Sequence, residues 1–283
     1  MSLLDANTKL YALIGHPVSH SSSPIFWNAA LKEAGINSVY LAFDIKSEDF
    51  PKALESLQTL GVVGANITAP LKQKAFQICP DKSETVMATG SANTLAFAKD
   101  GSISAWNTDF FAISNIISKF SPKGKTVLIL GNGASASTAA YAALKNEVSK
   151  IILMARNFPE KGLFKCAYSF PENLIESSEW TEENLCKALQ KSHIIINTAT
   201  REAAKEKNYF FKKTTPVKEK IFIDFNYAED PQLLMFAYLA NCIIIDGREI
   251  LLLQGAKAFE ILTGSKPPFN TMKEAIYRKE SRK

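Results

Sequence analysis

The stretch "TVLILGNGASASTAA" (residues 126–140) decides the fold of this chain. Its apolar beginning, "TVLIL", predicts a buried strand, and Gly131, Gly133 and Ala136 follow with the spacing G-x-G-x-x-G/A. In this pattern the first glycine makes a tight turn, the second lets a pyrophosphate approach the backbone, and the third small residue allows the helix to pack on the strand. The start of the helix, with Ala134 and Ser135, offers backbone amides to an anion. The stretch therefore predicts a dinucleotide-binding turn, although a plain glycine turn would show the same spacing.

Short apolar runs recur after this turn, at 150–155, 193–199, 221–225 and 242–246. Continuous runs of Val, Ile and Leu are typical of strands buried on both faces of a parallel sheet. The segments between the runs are long enough for crossover connections. An earlier series of alternating strand-like and helix-like segments begins with "LYALIG" (10–15). We therefore predict an α/β fold with two units, the second of which is a doubly wound parallel sheet.

The composition narrows the classes of partner. The chain has 283 residues, a formal net charge of +5 and 46% hydrophobic residues, ordinary values for a globular protein. It contains no apolar run long enough to span a membrane, and the N-terminus lacks the basic segment of a signal peptide. The cysteines are scattered without a CxxC pair, which indicates a reducing, cytoplasmic location. The basic tail "MKEAIYRKESRK" predicts a solvated helix rather than a nucleic-acid patch. We therefore expect a small-molecule substrate, no nucleic acid and no membrane.

The residues after the second predicted strand of the doubly wound unit indicate which dinucleotide it binds. An NAD site usually places Asp or Glu at this strand end, where it binds the ribose 2′-hydroxyl. Here the strand is followed by Arg156, within Ala155-Arg156-Asn157, and no acidic residue stands at its tip. A guanidinium can bind a 2′-phosphate through two hydrogen bonds. This favours NADP, unless Arg156 is only a solvated loop residue.

Polar clusters follow the predicted strands of the first unit. They are "GHPVSHSSSP" (15–24), "GANITAPLK" (64–72), "GSANTL" (90–95) and "WNTD" (106–109). Ligands of open α/β sheets bind beyond the carboxyl ends of the strands, so these clusters form a candidate site. Lys72 and Asp109 are the charged groups in them and would make a reasonable acid–base pair on a substrate hydroxyl. From spacing alone they could equally be two unrelated surface charges.

The serines and histidines of the first cluster raise two further alternatives, a nucleophilic serine and a metal site. His16 and His20 have no cysteine or acidic partner nearby at ligand spacing. The segment "HSSSP" does not form a G-x-S-x-G elbow. We therefore expect no metal and no serine-hydrolase chemistry, and expect these hydroxyls to bind a ligand instead.

The order of these motifs resembles the shikimate dehydrogenase family over most of the chain. "GHPVSHSSSPIFWN" resembles its substrate-carboxylate loop, "GANITAPLK" its catalytic-lysine loop, and "GSANTL" with "WNTD" its next substrate segments. "LGNGASAS" is similar to its nucleotide turn, "ARN" to its adenosine-phosphate loop, and "DFNY" and "DGREILLLQGAKAF" to its closing segments. The resemblance implies reversible, NADPH-dependent reduction of 3-dehydroshikimate to shikimate, in aromatic amino-acid biosynthesis, by a monomer or homodimer.

The resemblance also implies roles for individual residues and domains. Lys72 and Asp109 would be the catalytic pair. The substrate ligands would be Ser21 and Ser23 for the carboxylate, Thr68, Asn93, Asp109 and Gln254 for the ring hydroxyls, and Tyr227 near the carboxylate. The cofactor ligands would be Gly131, Gly133, Ala134, Ser135, Ala136, Ala155, Arg156, Asn157, Thr198 and Gly247. Residues 1–108 with 248–283 would form the substrate-binding and catalytic domain, and 109–247 the NADP-binding Rossmann domain.

Departures from the family pattern leave alternatives open. "NTATREAAKEKN" (197–208) lacks the usual Gly-Met, and Asn157 stands where the family carries threonine. A quinate or quinate/shikimate dehydrogenase would keep nearly all of the site residues, and the altered second half leaves open a diverged relative with another substrate. A non-catalytic dinucleotide-binding or regulatory module is the alternative from another class. The presence of Lys72 together with Asp109 argues against that module.

Overall fold

The computed structural model describes residues 4–158, 164, 170–171, 173–199, 219–226, 237–238 and 241–278. The chain forms two compact units, Met1–Phe111 with Leu251–Lys283 and Ala112–Ile250. We call them the first and the second unit. Among the described residues, no helix is long and apolar enough to cross a membrane.

The first unit is built on a mixed sheet. Its elements are β1 (Lys9–Gly15), α1 (Ser23–Glu33), β2 (Ser38–Asp44), α2 (Phe50–Thr59), β3 (Gly64–Ile67), α3 (Lys72–Ile78), β4 (Asp81–Lys82), α4 (Glu84–Thr89), β5 (Thr94–Phe97) and β6 (Ile103–Trp106). The strand order is β2-β1-β3-β5-β6-β4. Strand β1 is parallel to β2 and β3, whereas β5 is antiparallel to β3 and to β6. Because β1 and β3 are parallel neighbours, the loops that follow them leave the same edge of the sheet.

The second unit is built on a parallel sheet. Its elements are α5 (Thr108–Ser118), which begins in the first unit, and β7 (Thr126–Leu130), α6 (Ala134–Lys145), β8 (Lys150–Ala155), β9 (Ile175–Glu179), α7 (Glu182–Lys191), β10 (Ile194–Asn197), β11 (Ile221–Asp224) and β12 (Ile243–Ile245). The strand order is β12-β11-β10-β7-β8-β9, with every pairing parallel. Counted from β7, this is the doubly wound order 3-2-1-4-5-6, whose switch point lies between β7 and β10. The predicted Rossmann-type sheet is confirmed.

Two helices close the chain, α8 (Gly247–Thr263) and α9 (Phe269–Arg278). In the first unit α8 packs closely on α1, because a Cβ at Gly255 would lie 2.6 Å from Cε2 of Phe26. This close packing positions Gln254, which is on the same helix.

The compact units divide after Phe111 and after Ile250, whereas the domain boundaries predicted from the sequence follow residues 108 and 247. Both divisions fall inside helices, α5 and α8, and helical periodicity continues across them. A boundary of this kind leaves no loop or glycine signal in the sequence. The assignment of substrate and cofactor roles to the two units remains a prediction.

Candidate active site

Lys72 and Asp109 are in direct contact in the first unit. Lys72 begins α3 and Asp109 lies in the first turn of α5, and Nζ of Lys72 donates to Oδ2 of Asp109 at 2.6 Å. The side chains are 16% and 7% exposed, so most of the pair is shielded from bulk water while part of Lys72 remains accessible to a ligand. Spacing along the sequence left open whether these charges meet, and the structure brings them together.

Local hydrogen bonds position Lys72 at the start of α3. The amide of Thr68 donates to the carbonyl of Ile14 on β1, and the amide of Leu71 donates back to the carbonyl of Thr68. The side chain of Leu71 is fully buried. The carbonyl of Lys72 accepts from the amide of Ala92. The turn before Lys72 is therefore hydrogen-bonded to β1, and the backbone of Lys72 itself is hydrogen-bonded to the segment before β5.

A capped helix start positions Asp109. Oδ1 of Asn107 accepts from the amide of Phe110 at 3.1 Å, which is the geometry of an N-cap. The Asn107 side chain is itself oriented, because its Nδ2 donates to Oγ1 of Thr89 at 2.9 Å. A carboxylate in the first turn of a helix is favoured by the helix dipole. Within the motif "WNTD", the asparagine therefore caps the helix that carries the aspartate, which fixes where the aspartate lies.

Asn93 and Gln254 meet at Thr108. Oδ1 of Asn93 accepts from the amide of Thr108 at 2.7 Å and from its hydroxyl at 3.1 Å. The hydroxyl of Thr108 also lies 3.3 Å from Oε1 of Gln254. A backbone amide only donates, so it fixes which end of the Asn93 amide faces inward. Among the described residues, Nδ2 of Asn93 donates to no protein acceptor, which leaves it available for a ligand oxygen.

The sequence analysis missed two polar residues that support this arrangement, Thr108 and Asn66. Nδ2 of Asn66 donates to Oγ1 of Thr94 at 3.1 Å, and its Oδ1 accepts from the hydroxyl of Tyr40 at 2.9 Å. Thr94 in turn donates to Oδ1 of Asn93 at 3.2 Å. Both residues lie inside quoted motifs, "GANITAPLK" and "WNTD". A buried asparagine in an otherwise apolar strand was the signal that could have identified Asn66.

The predicted carboxylate loop follows β1. Ser23 is the first residue of α1 and is 5% exposed, and its amide donates to Oγ of Ser21 at 3.2 Å. Thr68 follows the parallel neighbour β3, and its methyl group lies so close to Gly15 that a Cβ there would be 2.3 Å from it. The structure thus places the serine loop and Thr68 at the same sheet edge. Their assignment to a substrate carboxylate and hydroxyl remains a prediction.

His16 of this loop pairs with Asp44 rather than with Lys72 or Asp109. Nδ1 of His16 lies 2.5 Å from Oδ1 of Asp44 at the end of β2, and both side chains are about half exposed. Among the described residues, no group of three or more His, Cys, Asp or Glu side chains is arranged to hold a metal ion.

In the second unit, the glycine turn fits a dinucleotide. Gly131 has φ +105°, a conformation that favours glycine, and a Cβ there would lie 2.8 Å from Oγ1 of Thr198. The Thr198 hydroxyl donates to the carbonyl of Leu130 at 2.7 Å. Gly133 precedes the first residue of α6, and a Cβ there would have nothing within 4 Å, which leaves open space before the helix N-terminus. Ala134 and Ser135 begin the helix, and Ala136 is buried against the strand.

The other predicted cofactor residues follow neighbouring strand ends. Ala155 ends β8, and the carbonyl of Asn157 accepts from Nδ2 of Asn132 in the glycine turn at 2.6 Å. Arg156 is exposed between them. Gly247 begins α8. Tyr227 lies outside the described residues.

These features define a two-unit α/β protein with a Rossmann dinucleotide unit and a Lys–Asp pair, in the class of nicotinamide-dependent oxidoreductases. The chain is 32% identical to the shikimate dehydrogenase (NADP(+)) of Aquifex aeolicus, covering 97% of this chain and 98% of that protein. It belongs to the shikimate dehydrogenase family.

The family models and solved structures agree with this assignment. Residues 13–95 match the shikimate dehydrogenase substrate binding domain, and 247–277 match the shikimate 5′-dehydrogenase C-terminal domain. The crystal structure of the Aquifex aeolicus shikimate dehydrogenase superposes with a TM-score of 0.82 at 29% identity, covering 97% of this chain and 99% of that one. A shikimate dehydrogenase in complex with NADP+ superposes with a TM-score of 0.78 at 30% identity, covering 98% of each chain.

Proposed function

We propose that the protein catalyses the reversible, NADPH-dependent reduction of 3-dehydroshikimate to shikimate, with Lys72 and Asp109 as the acid–base pair. The observation that carries the proposal is the 2.6 Å contact between these two side chains, in a chain that belongs to the shikimate dehydrogenase family. A cytoplasmic location remains our expectation from the scattered cysteines, and a monomer or homodimer remains our expectation from the family resemblance.

In this mechanism Lys72 moves the proton. Its ammonium group donates a proton to the carbonyl oxygen of 3-dehydroshikimate during reduction, and the neutral amine takes the proton back from the hydroxyl of shikimate during oxidation. Asp109 accepts a hydrogen bond from the ammonium group and orients the substrate hydroxyl. When bound, NADPH supplies the hydride and NADP+ accepts it.

The polar groups around the pair suit a small hydroxylated acid. Nδ2 of Asn93 offers its N–H groups to substrate oxygens, while Nε2 of Gln254 donates one N–H to the carbonyl of Leu251 and can offer the other. Asp109 supplies an acceptor. Ser21 and Ser23 bind the substrate carboxylate through their hydroxyls. Thr68 and Tyr227 complete the proposed set of substrate ligands.

The second unit supplies the residues that would hold NADP. The turn at Gly131 and Gly133 and the N-terminus of α6 with Ala134, Ser135 and Ala136 bind the pyrophosphate. Arg156, with Ala155 and Asn157, binds the 2′-phosphate, since a guanidinium attracts an anion at the strand end where an NAD site carries a carboxylate. Thr198 and Gly247 would lie against the nicotinamide half.

A spectrophotometric assay tests this function. Purified protein is mixed with shikimate or quinate and with NADP+ or NAD+, and the absorbance of the reduced cofactor is followed. We expect turnover with shikimate and NADP+, and a lower kcat/KM with the other three combinations. Turnover only with quinate and NAD+ would identify a quinate dehydrogenase, and no turnover with any pair would favour a non-catalytic module.

Thr108 provides a prediction about substrate affinity. Thr108→Val keeps the shape and the backbone amide but removes the hydroxyl shared by Asn93 and Gln254. We expect KM for shikimate to rise about five- to tenfold, the effect of losing roughly one hydrogen bond, with a smaller change in kcat. The control is Thr108→Ser, which retains the hydroxyl and should stay close to wild type. Equal impairment in both variants would mean that the methyl group, not the hydroxyl, matters.

A further inference from the structure

A buried carboxylate in the second unit has no part in the proton transfer. Asp224 ends β11 and is 5% exposed. Its Oδ1 accepts from Nδ2 of Asn197 at 3.0 Å, from the amide of Asn226 at 2.9 Å and from Nδ2 of Asn226 at 2.9 Å. Three N–H donors thus converge on one carboxylate oxygen.

This carboxylate is costly to bury. Burial raises the pKa of Asp224, and the nearby charge of Asp246 acts in the same direction, while the hydrogen bonds from Asn226 and Asn197 lower it. A buried ionisable group needs such compensation, because transfer of a charge from water is unfavourable. An apolar residue would fill the same position at lower cost, so the placement points to a task other than packing.

The side chains of Asn197 and Asn226, which donate to Asp224, also hydrogen-bond to the backbone of Ala199. Oδ1 of Asn197 accepts from the amide of Ala199 at 3.2 Å, and Nδ2 of Asn226 donates to the carbonyl of Ala199 at 3.1 Å. Both polar groups of this residue's backbone are therefore held by partners of Asp224. The preceding residue is also fixed, since the amide and the hydroxyl of Thr198 both donate to the carbonyl of Leu130.

The same cluster abuts the start of α8. A Cβ at Gly247 would lie 2.6 Å from the carbonyl carbon of Asn226 and 2.8 Å from the carbonyl oxygen of Phe225. The backbone held by Asp224 therefore occupies the space where Gly247 lacks a side chain. Ala199 and the backbone packed against Gly247, which follow different strands, are therefore held by partners of one carboxylate.

We infer that Asp224 is a positioning residue for NADP: through Asn197 and Asn226 it holds the backbone of Thr198–Ala199 and the segment against Gly247 in the geometry that receives the cofactor. The inference rests on the proposed function, which assigns Thr198 and Gly247 to the cofactor. Of the proposed substrate ligands, Tyr227 falls in the second unit, and the others belong to the first.

The test uses the full chain with Asp224→Ala, which removes the acceptor, and Asp224→Asn, which can keep Oδ1 as an acceptor. For Asp224→Ala we expect the Kd of NADP+, measured by calorimetry, to rise about tenfold, as for the loss of one or two hydrogen bonds. KM for shikimate should rise by a smaller factor than the Kd of NADP+, because every proposed substrate ligand except Tyr227 lies in the first unit. Asp224→Asn should recover most of the affinity.

Amide hydrogen exchange measures, in the ligand-free protein, how firmly the backbone of Ala199 is held. We expect the amide of Ala199 to exchange faster in Asp224→Ala than in wild type, because its acceptor on Asn197 is no longer held. The control is Ile223→Ala at the neighbouring buried position of β11, which lowers stability without touching the cluster. It should leave the Kd of NADP+ unchanged.

A double-mutant cycle with Asn197→Ala separates a relay from independent effects. If Asp224 acts through Asn197, the double variant should lose less NADP+ affinity than the sum of the losses in the two single variants. Should Asp224→Ala not fold, Asn197→Ala carries the test alone, with the same expected changes in Kd and exchange.

Wild-type Kd together with wild-type exchange at Ala199 in these variants would overturn the inference. Failure of the wild type to bind NADP+ would instead refute the proposed function, and exchange at Ala199 would still report whether the cluster positions the loop.

Discussion

Replacing Lys72 by alanine is expected to lower kcat for shikimate oxidation by about 10³-fold, within the range found for general acid–base residues. The side chain carries the proton that must leave the substrate hydroxyl, and Nζ is already held at 2.6 Å from Asp109. The substrate ligands on other elements remain in place, so KM should change by less than about fivefold. Steady-state kinetics with shikimate and NADP+ measure both constants.

The matched control for this variant is Lys74→Ala. Lys74 lies two positions further along α3, and its ammonium group donates to the carbonyl of Ser47 rather than to a site residue. It should therefore retain wild-type kcat. Turnover close to wild type in Lys72→Ala would remove Lys72 from the mechanism, and an equal loss in Lys74→Ala would attribute the effect to α3 as a whole.

Replacing Asp109 by asparagine is expected to lower kcat by about 10²-fold. The change preserves the shape of the side chain but removes the negative charge beside a lysine that is only 16% exposed. Without this charge Lys72 loses its ionic partner in a poorly solvated place, and the substrate hydroxyl faces a neutral amide in place of a charged acceptor. The kinetics are measured as for Lys72, with thermal unfolding to verify that the variant is folded.

The double variant Lys72→Ala/Asp109→Asn distinguishes a coupled pair from two independent groups. Residues that act as a unit show strongly non-additive losses, so the double variant should lose no more activity than the worse single variant. Multiplicative losses would show that the two side chains contribute separately. That result would leave their contact as a structural ion pair.

The parallel sheet of the second unit was predictable because its information is local. Each strand is a continuous apolar run, the turn at Gly131 requires a residue that tolerates positive φ, and small residues follow it in the helix. Strand β9 (Ile175–Glu179) was not predicted. It lies at the edge of the sheet, and four of its five side chains are not buried, so its sequence lacks the apolar run that marked the others.

For the candidate site, too, some features were predictable from the sequence and others required the tertiary structure. The sequence by itself determined which residue types stand at the strand ends, and the motif order determined the family. Only the tertiary structure decided that Lys72 touches Asp109, that Thr108 orients Asn93 and Gln254, and that Asp224 holds the backbone around Ala199. The physical reason is that propensity and periodicity act between neighbours in the chain, whereas a hydrogen bond depends on positions and directions that packing sets. The partner of a buried polar group is therefore known only once the strands and helices that carry both groups are in place.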